Sequence, residues 1–237
     1  MSNILTTHVG SLPRSKELSE FLFAKDKGEK FSQSSFDEVL KNNVESVVKR
    51  QLDVGIDFVS DGEMSKISYA TYIKDRIDGF SGESERRAPA DLDDFPEYKE
   101  KIAKSGGTPT YTRPCCTNEL KVKDETSLLQ DINNFKNSLD KLNHRHAFMN
   151  SASPGVINVF MPNKFYSTED EYLDKLSNIM AKEYELITKS DIQVQLDCPD
   201  LALARHMNFK NLSEDEFLKR AELQIECLNS ALSNVDV

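Results

Sequence analysis

Residues 192–200 carry the strongest chemical signature in the sequence, Ile-Gln-Val-Gln-Leu-Asp-Cys-Pro-Asp. Apolar and polar residues alternate up to Leu196, which predicts a short strand, and Pro199 prevents the strand from continuing. Asp197 therefore ends a strand immediately before a loop, which is where α/β enzymes place ligand-binding groups. Its carboxylate can hold a substrate ammonium group through charge-assisted hydrogen bonds, or it can cap a helix or anchor the loop.

Two earlier runs have the same form, with apolar residues followed by polar ones. Residues 56–63 end on Glu63, and residues 4–13 end on the turn that contains Gly10 and Ser11. Glu63 is a second candidate for holding an ammonium group, while the backbone N–H groups of Gly10 and Ser11 could face a substrate carboxylate. We expect the three strand ends to build one site. The alternative is that Glu63 caps a helix and that Gly10 and Ser11 form a simple tight turn.

Three neighbouring residues give weaker signals. His8 is as compatible with packing as with function, and Asp61 is expected to support the site without touching a ligand. Cys198 could be a nucleophile, but no basic partner for it is visible in the sequence. The four cysteines form no C-x-x-C pair, so reduced thiols are predicted.

The composition restricts the class of protein and of partner. The chain has 237 residues, a hydrophobic content of 38% and a formal net charge of −10. This negative charge argues against nucleic acid as the main partner, because a phosphate backbone would be repelled. No apolar run approaches the roughly 20 residues of a membrane span, and no secretory signal is visible. A cytoplasmic protein is therefore predicted.

The elements that must position these groups form a repeated alternation of strand and helix. About five strands are predicted, at residues 4–9, 56–60, around 115–122, 147–151 and 192–196. Helices are predicted at residues 15–27, 35–52, 66–77, 128–142, 168–189 and 213–232, two of them opening on a Ser-x-x-Glu capping box. Residues 78–111 break the pattern with four glycines and three prolines. They predict a long insertion with a short helix near residues 95–103.

Alternating strands and helices imply parallel pairing with right-handed crossovers. A doubly wound sheet and a (β/α)8 barrel both fit this order. The doubly wound sheet lacks its glycine-rich phosphate loop, since residues 9–13 contain one glycine. The barrel needs eight strands and typically about 250 residues, and here about five units and an insertion occupy the whole sequence. No linker divides the chain, so a single domain over residues 1–237 is predicted.

Four stretches stand out by their order and spacing. They are residues 6–14 (Thr-Thr-His-Val-Gly-Ser-Leu-Pro-Arg), 55–63 (Gly-Ile-Asp-Phe-Val-Ser-Asp-Gly-Glu), 152–155 (Ala-Ser-Pro-Gly) and 195–202 (Gln-Leu-Asp-Cys-Pro-Asp-Leu-Ala). Together they resemble the catalytic domain of the cobalamin-independent methionine synthase family and its short single-domain relatives. The resemblance covers essentially the whole chain.

The resemblance implies a (β/α)8 barrel of the methionine synthase and uroporphyrinogen decarboxylase type, here truncated after about five βα units. It implies methyl transfer from a methyl-tetrahydrofolate, or another methyl donor, to the sulfur of homocysteine. By position, Gly10 and Ser11 would contact homocysteine, and Glu63 and Asp197 would hold its amino group. The loop containing Ser153 and Gly155 would lie towards the methyl donor.

The resemblance also implies a zinc ion that binds the homocysteine sulfur and lowers its pKa. The family's zinc ligands, a His-x-Cys pair, a glutamate and a later cysteine, fall beyond the position matching Val237. No residue of this sequence is therefore assigned as a zinc ligand. Exposed edges of a partial barrel would favour pairing with a second chain or a homo-oligomer.

Two alternatives remain at this point. The chain could be a truncated, catalytically inactive member that binds an amino acid or a partner chain. It could also be a decarboxylase-like enzyme on the same type of barrel, which would require clustered arginines for an acidic substrate. The arginines are scattered, which disfavours the second alternative: Arg14, Arg76, Arg86, Arg87, Arg113 and Arg205.

Overall fold

A computed structural model describes residues 4–85, 90–104, 111–142 and 146–235 of the chain. Within these residues the strands are β1 (Phe58–Ser60), β2 (Ile77–Ser81), β3 (Cys115–Val122), β4 (His146–Ala152) and β5 (Gln193–Asp197). The helices are α1 (Lys16–Asp26), α2 (Gln33–Asp53), α3 (Pro96–Lys104), α4 (Thr126–Asp140), α5 (Pro154–Phe160), α6 (Glu169–Thr188), α7 (Leu203–His206) and α8 (Glu214–Ala231). Short 3₁₀ turns cover Thr71–Asp75, Ala90–Asp94 and Pro199–Leu201.

Strands β1, β4 and β5 form a parallel sheet in that order. Ala152 at the end of β4 stands opposite Asp197 at the end of β5, and Ser60 at the end of β1 pairs with Phe148 of β4. The carboxyl ends of the three strands therefore share one edge of the sheet, as the expected site requires.

The predicted parallel pairing is wrong for β3. This strand pairs antiparallel with β2 and forms a separate two-stranded sheet. The pairing shifts between Asp78 and Phe80, where Gly79 has φ +106° and lies so close to β3 that a Cβ atom would meet Glu119 O at 2.8 Å. The insertion predicted at 78–111 begins inside β2, and its described residues include α3 near the position expected for a short helix.

The strand predicted at residues 4–9 is reduced to a single parallel bridge between Thr7 and Phe58. The side chain of Asp57 takes the place of further backbone pairing here. Its Oδ2 accepts hydrogen bonds from both the backbone N–H and the hydroxyl of Thr6. Ile4 is 94% exposed and Val9 is 76% exposed. These apolar residues thus lie on an uncovered edge of the described sheet, in agreement with the exposed edge expected there.

The predicted helices are confirmed where local capping fixes them. Ser15, Thr168 and Ser213 cap α1, α6 and α8, and Ser213 with Glu216 forms a complete capping box. The prediction of a capping box at Ser35 is wrong, because α2 begins earlier, at Gln33. Among the described helices, none combines the length and apolar character needed to cross a bilayer.

The helix predicted at residues 66–77 is absent and is replaced by irregular turns and the Thr71–Asp75 3₁₀ turn. Ser68 Oγ accepts hydrogen bonds from the N–H groups of Ala70 and Thr71. Such local bonds compete with helical ones. This segment instead carries Lys66 inward, towards the sheet.

Two apolar clusters hold the elements together. One lies between α1, α2, α4 and the sheet, and its large buried members are Leu18, Phe36, Val48, Phe135 and Met149. The other joins α5, α6 and α8 to the β2–β3 hairpin through residues that include Ile77, Leu120, Ile157, Tyr172 and Phe217. The carboxyl ends of the parallel strands lie where the two clusters adjoin.

Candidate functional site

Glu63 is fixed in an unusual backbone conformation just beyond β1. It has φ +56°, its residue surface is 0% exposed, and its N–H donates to Asp61 Oδ1 at 3.0 Å. Arg14 Nη2 donates to the carbonyl oxygens of Glu63 and Lys66 at 2.7 and 2.6 Å. A non-glycine residue with positive φ persists only where its surroundings determine it strongly, and such residues cluster at functional sites.

The side chain of Glu63 has one satisfied oxygen and one unsatisfied oxygen. Oε2 accepts a 2.6 Å hydrogen bond from Ser11 Oγ. Oε1 is buried and has no hydrogen-bond partner among the described residues. A buried carboxylate oxygen without a donor is costly, and it can accept a hydrogen bond from a ligand.

Asp197 is half-buried at the end of β5, where the sequence predicted it. Asn150 of β4 donates from Nδ2 to its Oδ1 and Oδ2 at 3.2 and 3.3 Å. Burial raises the pKa of Asp197, while the hydrogen bond from Asn150 and the charge of Lys66 oppose this shift. The carboxylate is therefore held by the side-chain amides of Asn150 and Gln195 and by the charge of Lys66, and it has no direct ion pair within the described part of the chain.

Tyr69 lies close enough to both carboxylates to be affected by their charges. Burial raises the pKa of Tyr69 to about 12, and the charges of both Asp197 and Glu63 contribute to that rise. Both carboxylates thus lie within electrostatic range of one phenol. The structure brings Ser11, Glu63 and Asp197 to the same region, although 186 positions separate Ser11 from Asp197 in the sequence (197 − 11).

Gly10 lies in the turn before Ser11 with φ +82°, and no atom would contact a Cβ there. His8 is exposed. Burial raises the pKa of the Cys198 thiol, although a hydrogen bond from Ser153 opposes the shift, and the thiol donates a weak bond to Leu196 O at 3.8 Å. A raised pKa opposes thiolate formation, which argues against Cys198 as a nucleophile.

Ser153 and Gly155 lie at the start of α5 and are both buried. Ser153 Oγ caps the helix by accepting from Val156 N–H and donates to Asp200 Oδ1 at 3.0 Å. A Cβ at Gly155 would lie 2.1 Å from Asp200 Oδ2, so only glycine fits. The Ser153 side chain is occupied within the protein, and its place on the methyl-donor side stays a prediction.

A charged network that the sequence did not indicate lies beneath the site. Arg76 donates to Asp131 and to Glu183, and the hydroxyls of Tyr72 and Ser151 also donate to Glu183. All five side chains are buried. The charge of Arg76 helps to lower the pKa of Glu183 despite the opposing effect of burial. The apolar spacing of α6 predicted a buried face but gave no sign that a glutamate would share it.

The residues described here do not fit a zinc centre. Across residues 4–85, 90–104, 111–142 and 146–235, no group of three or more His, Cys, Asp or Glu side chains is arranged to hold a metal ion. Tetrahedral zinc sites need at least three such protein ligands. No chemical step is therefore assigned to a metal bound by these residues.

Known sequences similar to this chain include a family of synthases. A family described as "Cobalamin-independent synthase, Catalytic domain" matches residues 4–89. Over 98% of its length the chain is 25% identical to a methionine synthase of Sulfolobus acidocaldarius, of which it covers 58%. Over 32% of its length it is 31% identical to a 5-methyltetrahydropteroyltriglutamate–homocysteine methyltransferase of Bifidobacterium adolescentis, of which it covers 10%. The chain thus spans little more than half of the first of these relatives.

Solved structures show the same α/β fold. A B12-independent methionine synthase from a Shewanella species, in complex with selenomethionine, superposes with a TM-score of 0.68 at 15% identity, covering 98% of this chain and 58% of that one. A putative B12-independent methionine synthase from Listeria monocytogenes gives a TM-score of 0.66 at 13% identity, with 100% and 64% covered. The chain is therefore similar in sequence and in fold to cobalamin-independent methionine synthases, which confirms the resemblance carried by its four motifs.

Proposed function

We infer that this chain carries an amino-acid site of the methionine synthase type, which holds homocysteine while a methyl-folate donor methylates its sulfur. The observation that carries this proposal is the buried Glu63 carboxylate, whose Oε1 has no donor among the described residues and which shares one region with Asp197. An α-ammonium group would supply that donor and compensate both charges.

The assigned roles follow from position and charge. Glu63 and Asp197 would hold the ammonium group, with Ser11 fixing the orientation of Glu63. The turn at Gly10 and Ser11 would direct backbone N–H groups to the substrate carboxylate. The relative from Shewanella was solved with selenomethionine, an analogue of the reaction product, and this supports an amino-acid ligand for the shared fold.

The wider architecture belongs to the same proposal. The order β1–β4–β5, extended by the Thr7 bridge, would form consecutive strands of a partial (β/α)8 barrel within one domain of residues 1–237. The β2–β3 hairpin and α3 would belong to the insertion. A second chain or a further copy could cover the open edge at β5. The loop with Ser153 and Gly155 would face the methyl-tetrahydrofolate, and the cytoplasmic location stays a prediction.

The experiment measures methionine formation and methionine binding on the same preparation. Purified chain is incubated with L-homocysteine and methyl-tetrahydropteroyl-triglutamate, with and without added Zn²⁺, and methionine is quantified. L-methionine binding is measured in parallel by calorimetry. Turnover supports the enzyme, whereas binding without turnover supports the alternative of an inactive amino-acid-binding member. Absence of both would refute the proposal.

A further inference from the structure

Lys66 is a buried cation at the centre of the site, 3% exposed. Its ammonium group donates to the backbone carbonyl of Asn150 and lies 4.3 Å from the centroid of the Tyr72 ring. The residues joined by that hydrogen bond are 84 positions apart. A buried lysine is stable only when its charge is compensated and its donors are used.

The hydrogen bonds continue from Lys66 to the proposed ligand group. Asn150 is 2% exposed, and it receives Lys66 on its backbone carbonyl while its side chain holds both oxygens of Asp197. The loop after β1 is thus linked through β4 to the last residue of β5. Among the described residues no hydrogen bond or ion pair joins Lys66 directly to Asp197, so any effect of Lys66 on that carboxylate acts through Asn150 and through the electric field.

We propose that Lys66 is a positioning residue, which acts through Asn150 to keep the Asp197 carboxylate charged and oriented for a primary ammonium group. This role rests on the proposed amino-acid site and extends it to a residue that does not touch the ligand. Asn150 and Gln195 both hydrogen-bond the Asp197 carboxylate, and its two oxygens have further lone pairs that can accept from a ligand.

Charged and titratable groups face Lys66 and Asp197 from every element around them. Lys66 lowers the pKa of four carboxyl groups, those of Asp61, Asp131, Glu183 and Asp197. Arg76 compensates Asp61, Asp131 and Glu183 as well, whereas Lys66 is the charged residue that opposes the burial of Asp197. The negative charge of Asp197 also acts on Tyr69 and Cys198 and contributes to the raised pKa of each. Loss of the Lys66 charge should therefore raise the pKa of Asp197, because Lys66 is the charged residue that opposes the effect of burial there.

The test follows Asp197 itself, by ¹³C NMR titration of aspartate carboxyl groups. The Asp197 resonance is assigned by its absence in Asp197→Asn. In Lys66→Met the titration midpoint of Asp197 should move to higher pH, and in Lys66→Arg it should stay near the wild-type value. The matched control is Lys182→Met, since Lys182 is about half exposed and pairs with Glu125 at 3.6 Å. Asn150→Ala leaves Lys66 in place and should also raise the midpoint.

L-methionine calorimetry on the same proteins supplies the second readout. Lys66→Met should weaken binding about tenfold at acidic pH, and the loss should shrink as the pH rises and Asp197 becomes ionised in both proteins. An unchanged Asp197 midpoint in folded Lys66→Met, or in folded Asn150→Ala if Lys66→Met does not fold, would overturn the proposal. A shifted midpoint in a protein that does not bind methionine would retain the role of Lys66 and refute the proposed function.

Discussion

Ser11 Oγ donates a 2.6 Å hydrogen bond to Glu63 Oε2, although 52 positions separate the two residues along the chain. Glu63 has φ +56° at that point, and Arg14 holds its carbonyl oxygen from the other side. The turn after the N-terminal segment and the turn after β1 are therefore fixed against each other. This contact orients a buried carboxylate whose second oxygen remains for a ligand.

Replacement of Ser11 by alanine should lower the free energy of unfolding by about 1–3 kcal/mol, because Glu63 Oε2 would lose its donor while buried. Chemical denaturation measures the change. Ser34→Ala is the matched control, since Ser34 is exposed and its change should stay within about 0.5 kcal/mol. Equal effects of the two substitutions would show that the Ser11–Glu63 bond contributes nothing to stability.

Arg76→Met should be among the most destabilising single substitutions in the chain. It would leave Asp131 and Glu183 buried without their cation, a loss of about 3–5 kcal/mol. The comparison is Lys189→Met, which removes an exposed partner of Glu185 and should cost at most about 0.5 kcal/mol. Urea titration of both variants distinguishes the buried network from a surface pair, and similar midpoints would contradict the prediction.

Gly155→Ala should destabilise the protein by about 1–3 kcal/mol or more, because the added methyl group would overlap Asp200 Oδ2 at 2.1 Å. A double-mutant cycle with Asp200→Ala checks the cause. If the overlap is responsible, Gly155→Ala should cost less in the Asp200→Ala background than in the wild type. A purely additive result would mean that the cost arises elsewhere in α5.

The buried carboxyl group of Asp200 should make the stability of the protein depend on pH. Burial raises its pKa above the unfolded value, so the folded state binds the proton more tightly. Wild-type stability is then lost as the pH rises through the raised pKa, whereas Asp200→Asn cannot titrate and keeps an oxygen to accept from Ser153. The variant should therefore gain stability relative to wild type as the pH rises from the ordinary aspartate pKa of about 4 through the raised pKa of the folded protein. Thermal denaturation across this range measures the difference, and a constant difference would contradict the sign.

The sequence predicted those features that depend on residues close along the chain. Helices were predicted to begin near Ser15, Thr168 and Ser213, and the side chain of each of these residues caps its helix by binding an N–H three residues further on. The end of β5 at Asp197 was predicted because alternation and a proline mark it.

The missed features depend on contacts between distant residues. Strand β3 pairs antiparallel with β2 through a bulge at Gly79, and nothing near β3 in the sequence specifies that partner. Lys66 was predicted to lie in a helix, because the hydrogen bond that fixes its position joins it to Asn150, 84 positions away along the chain. Glu63 and Asp197 were predicted individually, while the groups that orient them come from other elements.

Recognition of an α-ammonium group by Glu63 and Asp197 can be measured by calorimetry on the wild-type chain. The binding of L-methionine is compared with that of 4-(methylthio)butanoic acid, which lacks only the amino group. We expect the analogue to bind at least about a hundredfold more weakly, and Glu63→Gln and Asp197→Asn to lose most of this discrimination. Equal affinity for the two compounds in the wild-type chain would contradict the claim.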